Sequence, residues 1–246
     1  MFSFFKTKKV DYQNKPSPLL VDLHSHLIPT IDDGAQSMQE SLSLLQALQS
    51  QGYIKVITTP HIMYDSYKNT KASILQGLYQ LQKEADAQGI IMTIEVAAEY
   101  YLDEGLLPLI QSKEVLLIAD KYLLFETSYT HRPEQLEEII FEISTAGYTP
   151  LLAHPERYRY IKNQKEEYQV LRELGVEFQV NLNSFNGYYG SQAKKNALFL
   201  SEQGWIDFLG SDTHNIKQVE NLSIVLESKE YKDIYKNNTI KNRALL

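Results

Sequence analysis

The sequence predicts an α/β protein whose strands run parallel and curl toward a barrel. Short runs rich in Val, Ile, Leu and Phe alternate with longer segments of helical period over most of the 246 residues. Gly52, Gly89, Gly147, Gly175 and Gly204 each close a helical stretch just before a strand candidate. Glycine takes the left-handed position after a helix at no steric cost, so these glycines mark helix-to-strand junctions. Helix then strand, repeated with short connections, makes parallel strands with right-handed crossovers. An open doubly wound sheet is the alternative that periodicity leaves standing.

The strand candidates are residues 19–23, 53–58, 90–97, 122–126, 149–153, 177–182 and 206–210. In the first helix candidate Met38, Leu42, Leu45 and Leu48 share one face, and Ser37 with Glu40 spells a capping box. Ile74, Leu78, Leu81 and Ala85 repeat the stripe. Leu136, Ile139, Ile143 and Ala146 repeat it again, with Pro133 suited to a first helical turn. Residues 1–18 stand apart as an N-terminal extension before the domain of residues 19–246. There Phe2, Phe4 and Phe5 interleave with Lys6, Lys8 and Lys9 ahead of Pro16 and Pro18. A frayed end is the plain reading; weak contact with an anionic membrane surface is the sharper one.

Composition excludes several classes. There is no cysteine, which removes thiol nucleophiles, disulfide frameworks and thiolate metal sites. A formal charge of −7 argues against a broad nucleic-acid-binding surface. No apolar run reaches the roughly 18 residues of a membrane span. A cytoplasmic protein is the expectation, without a secretory leader.

The chemistry lies at the strand ends. His24 and His26 follow the first strand candidate in Asp-Leu-His-Ser-His, with Asp32-Asp33-Gly34 close behind. His61 follows the second, Glu99 the third and Glu126 ends the fourth. His154 follows the fifth in Ala-His-Pro-Glu-Arg157, and Asp212 and His214 follow the seventh. In parallel α/β barrels the C-terminal strand ends form one rim, where active sites are built. A lone histidine there is more often a loop residue than a ligand. Carboxylates and imidazoles gathered inside one mouth must instead be paired or metal-bound to offset desolvation, and oxygen and nitrogen donors suit divalent ions. His24 and His26 are two apart, so on an extended strand they point the same way. Asp22 shares that parity one layer deeper, as a buried hydrogen-bonding residue rather than a ligand. One of Asp32 and Asp33 is expected to reach the metals while the other caps the following helix. His131, in Tyr-Thr-His-Arg-Pro, reads as a loop residue.

These motifs resemble the PHP (polymerase and histidinol phosphatase) metallohydrolases. Within them they are most similar to the metal-dependent bacterial tyrosine-protein phosphatases of capsular and exopolysaccharide assembly. The resemblance runs from residue 19 to about 220 through Asp-Leu-His-Ser-His, Asp-Asp-Gly, Thr-Pro-His, Ala-Glu-Tyr-Tyr, Ala-His-Pro-Glu-Arg-Tyr and Gly-Ser-Asp-Thr-His. It implies a distorted, TIM-like seven-stranded (β/α) barrel carrying two to three divalent ions, manganese first, with iron or zinc as alternatives. It implies that His24, His26, Glu99 and Asp212 hold one ion. Glu99, Glu126 and His154 would hold a second across a Glu99 bridge, and Asp33, His61 and His214 a third. Arg157 matches the family's phosphate-contacting arginine, and His214 is a candidate proton donor. A second basic contact is missing after Asp-x-His; Lys217 is the nearest substitute.

The function so implied is phosphotyrosine hydrolysis on a protein, the tyrosine-rich tail of a bacterial tyrosine kinase, at the inner face of the cell membrane. A phosphoesterase for a small metabolite such as histidinol phosphate, and a non-catalytic metal-binding scaffold, are the alternatives. Tyr100, Tyr101, Tyr158, Tyr188 and Tyr189 are read as rim residues able to stack against a substrate ring.

Overall fold

The computed structural model describes residues 19–246, so both readings of the N-terminal extension lie outside the described residues. In chain order these residues form β1 (Val21–Asp22), α1 (Met38–Ser50), β2 (Lys55–Thr58), β3 (His61–Ile62) and α2 (Lys71–Ala87). Next come β4 (Thr93–Val96), β5 (Glu99–Tyr101), α3 (Leu106–Ser112), β6 (Tyr122–Glu126) and α4 (Leu136–Thr145). The chain continues through β7 (Thr149–Ala153), α5 (Gln164–Glu173), β8 (Glu177–Asn181), α6 (Ser191–Glu202), β9 (Phe208–Gly210), α7 (Ile216–Glu227) and α8 (Lys229–Asn237).

Every strand pair is parallel, as the helix–strand alternation predicts. The pairs make two sheets of order β1-β2-β4 and β3-β5-β6-β7-β8-β9, where the sequence predicts one seven-stranded barrel. β2 and β4 lie within the predicted strands 53–58 and 90–97, and two further short strands that the sequence does not predict, β3 and β5, follow them after a break. Pro60 has no N–H to donate to the ladder and separates β2 from β3; Ala97 and Ala98 separate β4 from β5. The breaks are in step, because Ala97 N–H donates to Thr58 O at 3.0 Å and Glu99 N–H to Pro60 O at 3.1 Å. Among the described residues no continuous ladder joins the outer edges. They meet instead through a bridge between Ser25 and Thr213 and through Asp212 N–H on His24 O at 2.8 Å. At the opposite end, Asn242 donates from Nδ2 to Val21 O and Leu209 O, tying β1 to β9.

Alternation along the strands sorts the core into two layers. Val21, Leu23, Ile57, Leu124, Leu151 and Phe208 pack among the strands. Val56, Leu123, Phe125, Leu152 and Val180 face the other way, in the cluster that takes in the helix residues Leu44, Ile74, Ile139 and Leu222. The predicted stripes are wider than drawn: Leu44 and Ile140 are also buried, while Met38, Leu42 and Leu78 pack at the margin. The five junction glycines all adopt positive φ, from +67° to +93°. Ser37 caps α1 by accepting from Glu40 N–H, but Glu40 accepts from Gln36 N–H, so the box is half formed. Pro133 sits three residues before α4, in the turn that leads into it. No helix among the described residues is long and apolar enough to cross a membrane.

Candidate metal centre

The parallel strands bring nine predicted donors to one end of the sheets. His24 and His26 follow β1, His61 opens β3, Glu99 opens β5 and Glu126 closes β6. His154 follows β7 directly, and Asp212 and His214 follow β9. Asp33 reaches in from the loop after β1, half exposed, with its Oδ1 3.5 Å from His61 Nε2 and 3.4 Å from His214 Nε2. Backbone strain marks two of these positions. His154 and Asp212 adopt φ of +32° and +51°, a region that costs a side-chain-bearing residue about 1–3 kcal/mol and persists only under tertiary restraint.

Hydrogen bonds on the far side of three rings set how His24, His26 and His214 face. His24 Nδ1 lies 2.6 Å from Gln179 Oε1, an oxygen that can only accept, so Nδ1 carries the proton. Gln179 donates onward to Asn181, and Asn181 to Asp212 Oδ2. His26 Nδ1 lies 2.9 Å from Asp32, whose carboxylate also accepts from His61 N–H and Gly34 N–H. His214 Nδ1 lies 3.0 Å from Asp212 O. Each imidazole thereby turns its Nε2 toward the centre. Holding the remote nitrogen in this way orients and strengthens metal-ligating histidines.

The central donors fit a cation. His24 Nε2 is 3.4 Å from His26 Nε2, and with the far nitrogens of both rings engaged as donors these two face each other as acceptors when the imidazoles are neutral. Glu99 Oε2 lies 3.1 and 3.5 Å from these nitrogens, and Asp212 Oδ1 lies 3.5 Å from each. Four acceptors facing one another repel unless positive charge lies between them. Bonds of about 2.1 Å from one ion would set tetrahedral neighbours about 3.4 Å apart, which is the spacing found. Donor atoms group closely as His24, His26 and Asp212; as His24, Glu99 and His154; as His61, Glu99 and Glu126; and as His26, Asp33, His61 and His214. Together these groups contain all nine donors that the sequence predicts. Glu99 is the hub, with Oε2 toward His24, His26 and His61 and Oε1 3.0 Å from His154. His61 Nδ1 sits 3.2 Å from both Glu99 and Glu126 and, like His154 Nδ1, is buried without a hydrogen-bond partner.

The electrostatics carry the same message. Burial opposes charge on His24 and His26, yet Glu99 and Asp212 raise the first and Asp32 raises the second well above the ordinary value. Burial brings His61 down to about 4. Burial and the neighbouring Glu99 push Glu126 well up, whereas Glu99, despite its own burial, is held well down by His24 and His61. Two carboxyls in one dry site cannot both ionise without added positive charge.

Above the cluster the mouth is a cavity of about 440 Å³ whose lining includes Tyr67, Tyr129, Arg157 and Tyr189. Arg157 donates from Nη1 to Asp212 Oδ2 at 2.8 Å. Its guanidinium lies between two rings, 4.6 Å from the centre of Tyr129 and 4.2 Å from that of Tyr189. It does not pair with Glu156, which is buried and accepts from Asn181 N–H and Ser184 Oγ. Lys217 is exposed and outside the lining, so Arg157 is the one cationic side chain lining the mouth among the described residues.

Several sequence expectations change here. Tyr100 and Tyr158 are core residues, with their hydroxyls bonded to Leu116 N–H and to Ala153 O and Thr127 N–H. Tyr101 and Tyr189 do line the mouth, and Tyr188 is exposed. Asp32 supports His26 instead of capping α1, a role Ser37 fills. Asp22 is buried and accepts from Ser211 N–H and Oγ. His131 lies exposed in its loop. Sequence reading overlooked Tyr67, Tyr129, Gln179, Asn181 and Gln218. Two of them carried a signal: Gln179 and Asn181 are polar residues two apart that alternate with Phe178 and Val180 and so share one face of β8. Gly210, on the neighbouring strand, leaves them room, because a Cβ there would sit 2.6 Å from Gln179 Nε2 and 2.8 Å from His24 Cβ.

Comparison with known proteins places this arrangement. A tyrosine-protein phosphatase of Bacillus subtilis, YwqE, is 32% identical over 199 residues, 80% of this chain and 78% of its own length. The tyrosine-protein phosphatase CpsB of Streptococcus pneumoniae is 27% identical over 203 residues, 80% of this chain and 84% of its own. A crystal structure from work on these two proteins, described there as unique metal-dependent tyrosine phosphatases, superposes with a TM-score of 0.77 at 29% identity. It covers 89% of this chain and 96% of the other. An amidohydrolase from Mycoplasma synoviae, at 12% identity and a TM-score of 0.51 over 90% of this chain and 80% of its own, shares the fold alone. The family model described as "Capsular polysaccharide synthesis, CpsB/CapC" matches residues 20–242, and the chain belongs to that family.

Proposed function

We propose that this chain is a metal-dependent protein-tyrosine phosphatase, and that residues 19–246 are its catalytic domain. The observation that carries the reading is a buried cluster of mutually facing acceptors directly beneath a single fixed guanidinium in one cavity. His24, His26, Glu99 and Asp212 would hold one ion. Glu99, Glu126 and His154 would hold a second, and Asp33, His61 and His214 a third. Two to three ions of manganese, or of iron or zinc, suit these oxygen and nitrogen donors. When bound, such ions supply Lewis-acid charge that neutralises phosphate and acidifies water.

The chain's own residues do the rest. Arg157 is held by Asp212 and the two tyrosine rings, so its remaining N–H groups are set in advance for phosphate oxygens. Tyr67, Tyr101, Tyr129 and Tyr189 give the mouth aromatic walls suited to a phenyl ring. The phenolate leaving group has an ordinary pKa near 10, so it needs modest proton help. With two ions bound, His214 Nε2 is free to pass a proton to it, its other nitrogen being fixed on Asp212 O. The partner is a phosphotyrosine protein, the tail of a bacterial tyrosine kinase. The site of action is the cytoplasmic face of the membrane.

The activity for which the two relatives are named favours this over a small-metabolite phosphatase or a scaffold. The test is one metal-loaded sample assayed against a phosphotyrosine peptide, histidinol phosphate and a nucleotide monophosphate. Hydrolysis of the peptide should dominate, vanish on exhaustive chelation, return with metal, and survive thiol alkylation. Full activity after complete demetallation would overturn the proposal.

A further inference from the structure

The mouth shares a wall with a second cavity. That cavity has a volume of about 460 Å³ and opens between the segment following β3 and the start of α3. Its lining is mostly carbon, from Met63, Tyr64, Tyr101, Leu106, Pro108 and Leu109. Met63 and Tyr101 also line the mouth, so the two cavities are neighbours separated by one layer of side chains. Asp103 adds little polarity, because both its oxygens are already used. Oδ2 accepts from Tyr64 N–H at 2.8 Å and Oδ1 from Gly105 N–H at 2.9 Å, which staples the two sides of the cavity together. Lys68 and Glu104, of opposite sign, are exposed at its edge. Tyr64 is 55% exposed at the lip, a large ring left without cover.

We infer that this cavity receives an apolar side chain of the substrate peptide, two or three residues from the phosphotyrosine; the inference rests on the phosphatase reading of the mouth. An extended peptide advances about 3.3 Å per residue. Two or three residues therefore span roughly 7–10 Å, enough to cross a wall one side chain thick. The pocket's volume lies within the range of about 300–1,000 Å³ typical of small-ligand sites, ample for a leucine or an aromatic ring. A carbon-lined pocket with its carboxylate already satisfied favours an apolar occupant over a charged one. Its position across a shared wall from the mouth favours the same chain that brings the phosphate. A small metabolite would fill the mouth and leave this pocket unused.

The experiment compares the metal-loaded full chain on free phosphotyrosine and on phosphotyrosine peptides in a Gly-Ser background. A single leucine is moved through the three positions on either side of the phosphotyrosine. One or two leucine positions should raise kcat/KM about tenfold, mainly through KM. Leu109→Trp, which fills the pocket without touching the mouth, should erase that preference while leaving free phosphotyrosine unchanged. Leu109→Ala, which enlarges it, should weaken the leucine preference and improve a tryptophan-bearing peptide at the same position. Equal rates at every leucine position, or a preference that survives Leu109→Trp in a folded protein, overturns the pocket and leaves the phosphatase reading intact. Failure to hydrolyse any phosphotyrosine substrate with metal bound defeats that reading, and this inference with it.

Discussion

Arg157 Nη1 and Asp212 Oδ2 form a 2.8 Å ion pair across the mouth, with the Asp212 side chain 2% exposed and that of Arg157 21% exposed. Asp212 presents its other oxygen to His24 and His26. One carboxylate thus links the phosphate-facing cation to the central donor cluster. Arg157→Ala should therefore lower turnover by roughly 10²–10³-fold, the scale of losing one preorganised donor to a developing anion. Lysine should recover little, since an ammonium lacks the paired donors of a guanidinium that also packs against two rings. Rate, bound metal and melting temperature on one sample decide the matter; near-normal turnover with metal in place would return Arg157 to the status of a surface residue.

Glu99 lies within 3.0–3.5 Å of four imidazoles. Glu99→Ala should be the most damaging single change to metal content, with all tightly held ions lost over the same narrow chelator range. Metal analysis during chelator titration checks it. Stepwise loss with a first ion held normally would mean Glu99 is not shared.

Gln179 touches no mouth surface, yet it fixes the His24 ring and relays through Asn181 to Asp212. Gln179→Leu should weaken metal affinity about 10–100-fold, the usual effect of removing such a support. The fold should be retained at saturating metal. Unchanged affinity by competition with a metal indicator dye would show that the relay is ornamental.

Glu156 supplies a pH signature. Burial raises its carboxyl from 4.5 to about 7, and Oε2 is buried without a partner. The folded state therefore keeps a proton that the unfolded chain releases above its ordinary pKa. Stability contributed by this group falls as pH rises from about 4.5 through about 7, then levels off. Relative to Glu156→Gln, which cannot ionise, the native protein should lose stability across that window by up to about 3 kcal/mol. Any constant offset from the substitution drops out of the comparison. Parallel denaturant titrations of both proteins from pH 5 to 8, in one chelator-containing buffer, measure it; a pH-independent difference would place the Glu156 carboxyl in contact with water.

What the sequence determined by itself was the local periodicity and, through it, the placement of the donors. Apolar stripes, strand runs and junction glycines are short-range features, each enforced by the backbone within a few residues. Once the strands were read as parallel, His24, His61, Glu99, Glu126, His154 and Asp212 had to share one end of the sheets, and they do. Tertiary structure alone decided how those donors are supported and grouped. His24 meets Gln179 across 155 residues, and Glu99 meets His154 across 55, through contacts that depend on the final curvature of the sheets. It also sent Tyr158 into the core and turned Tyr129 and Tyr189 onto Arg157, since periodicity alone does not say which way a loop side chain points; Tyr100 went into the core because it lies in β5 next to Glu99, and alternation turns it to the opposite face. The break at Thr59–Pro60 is half legible, because proline announces a lost donor. The matching break at Ala97–Ala98 is not, because it arises from the neighbouring strand's need to keep its partners.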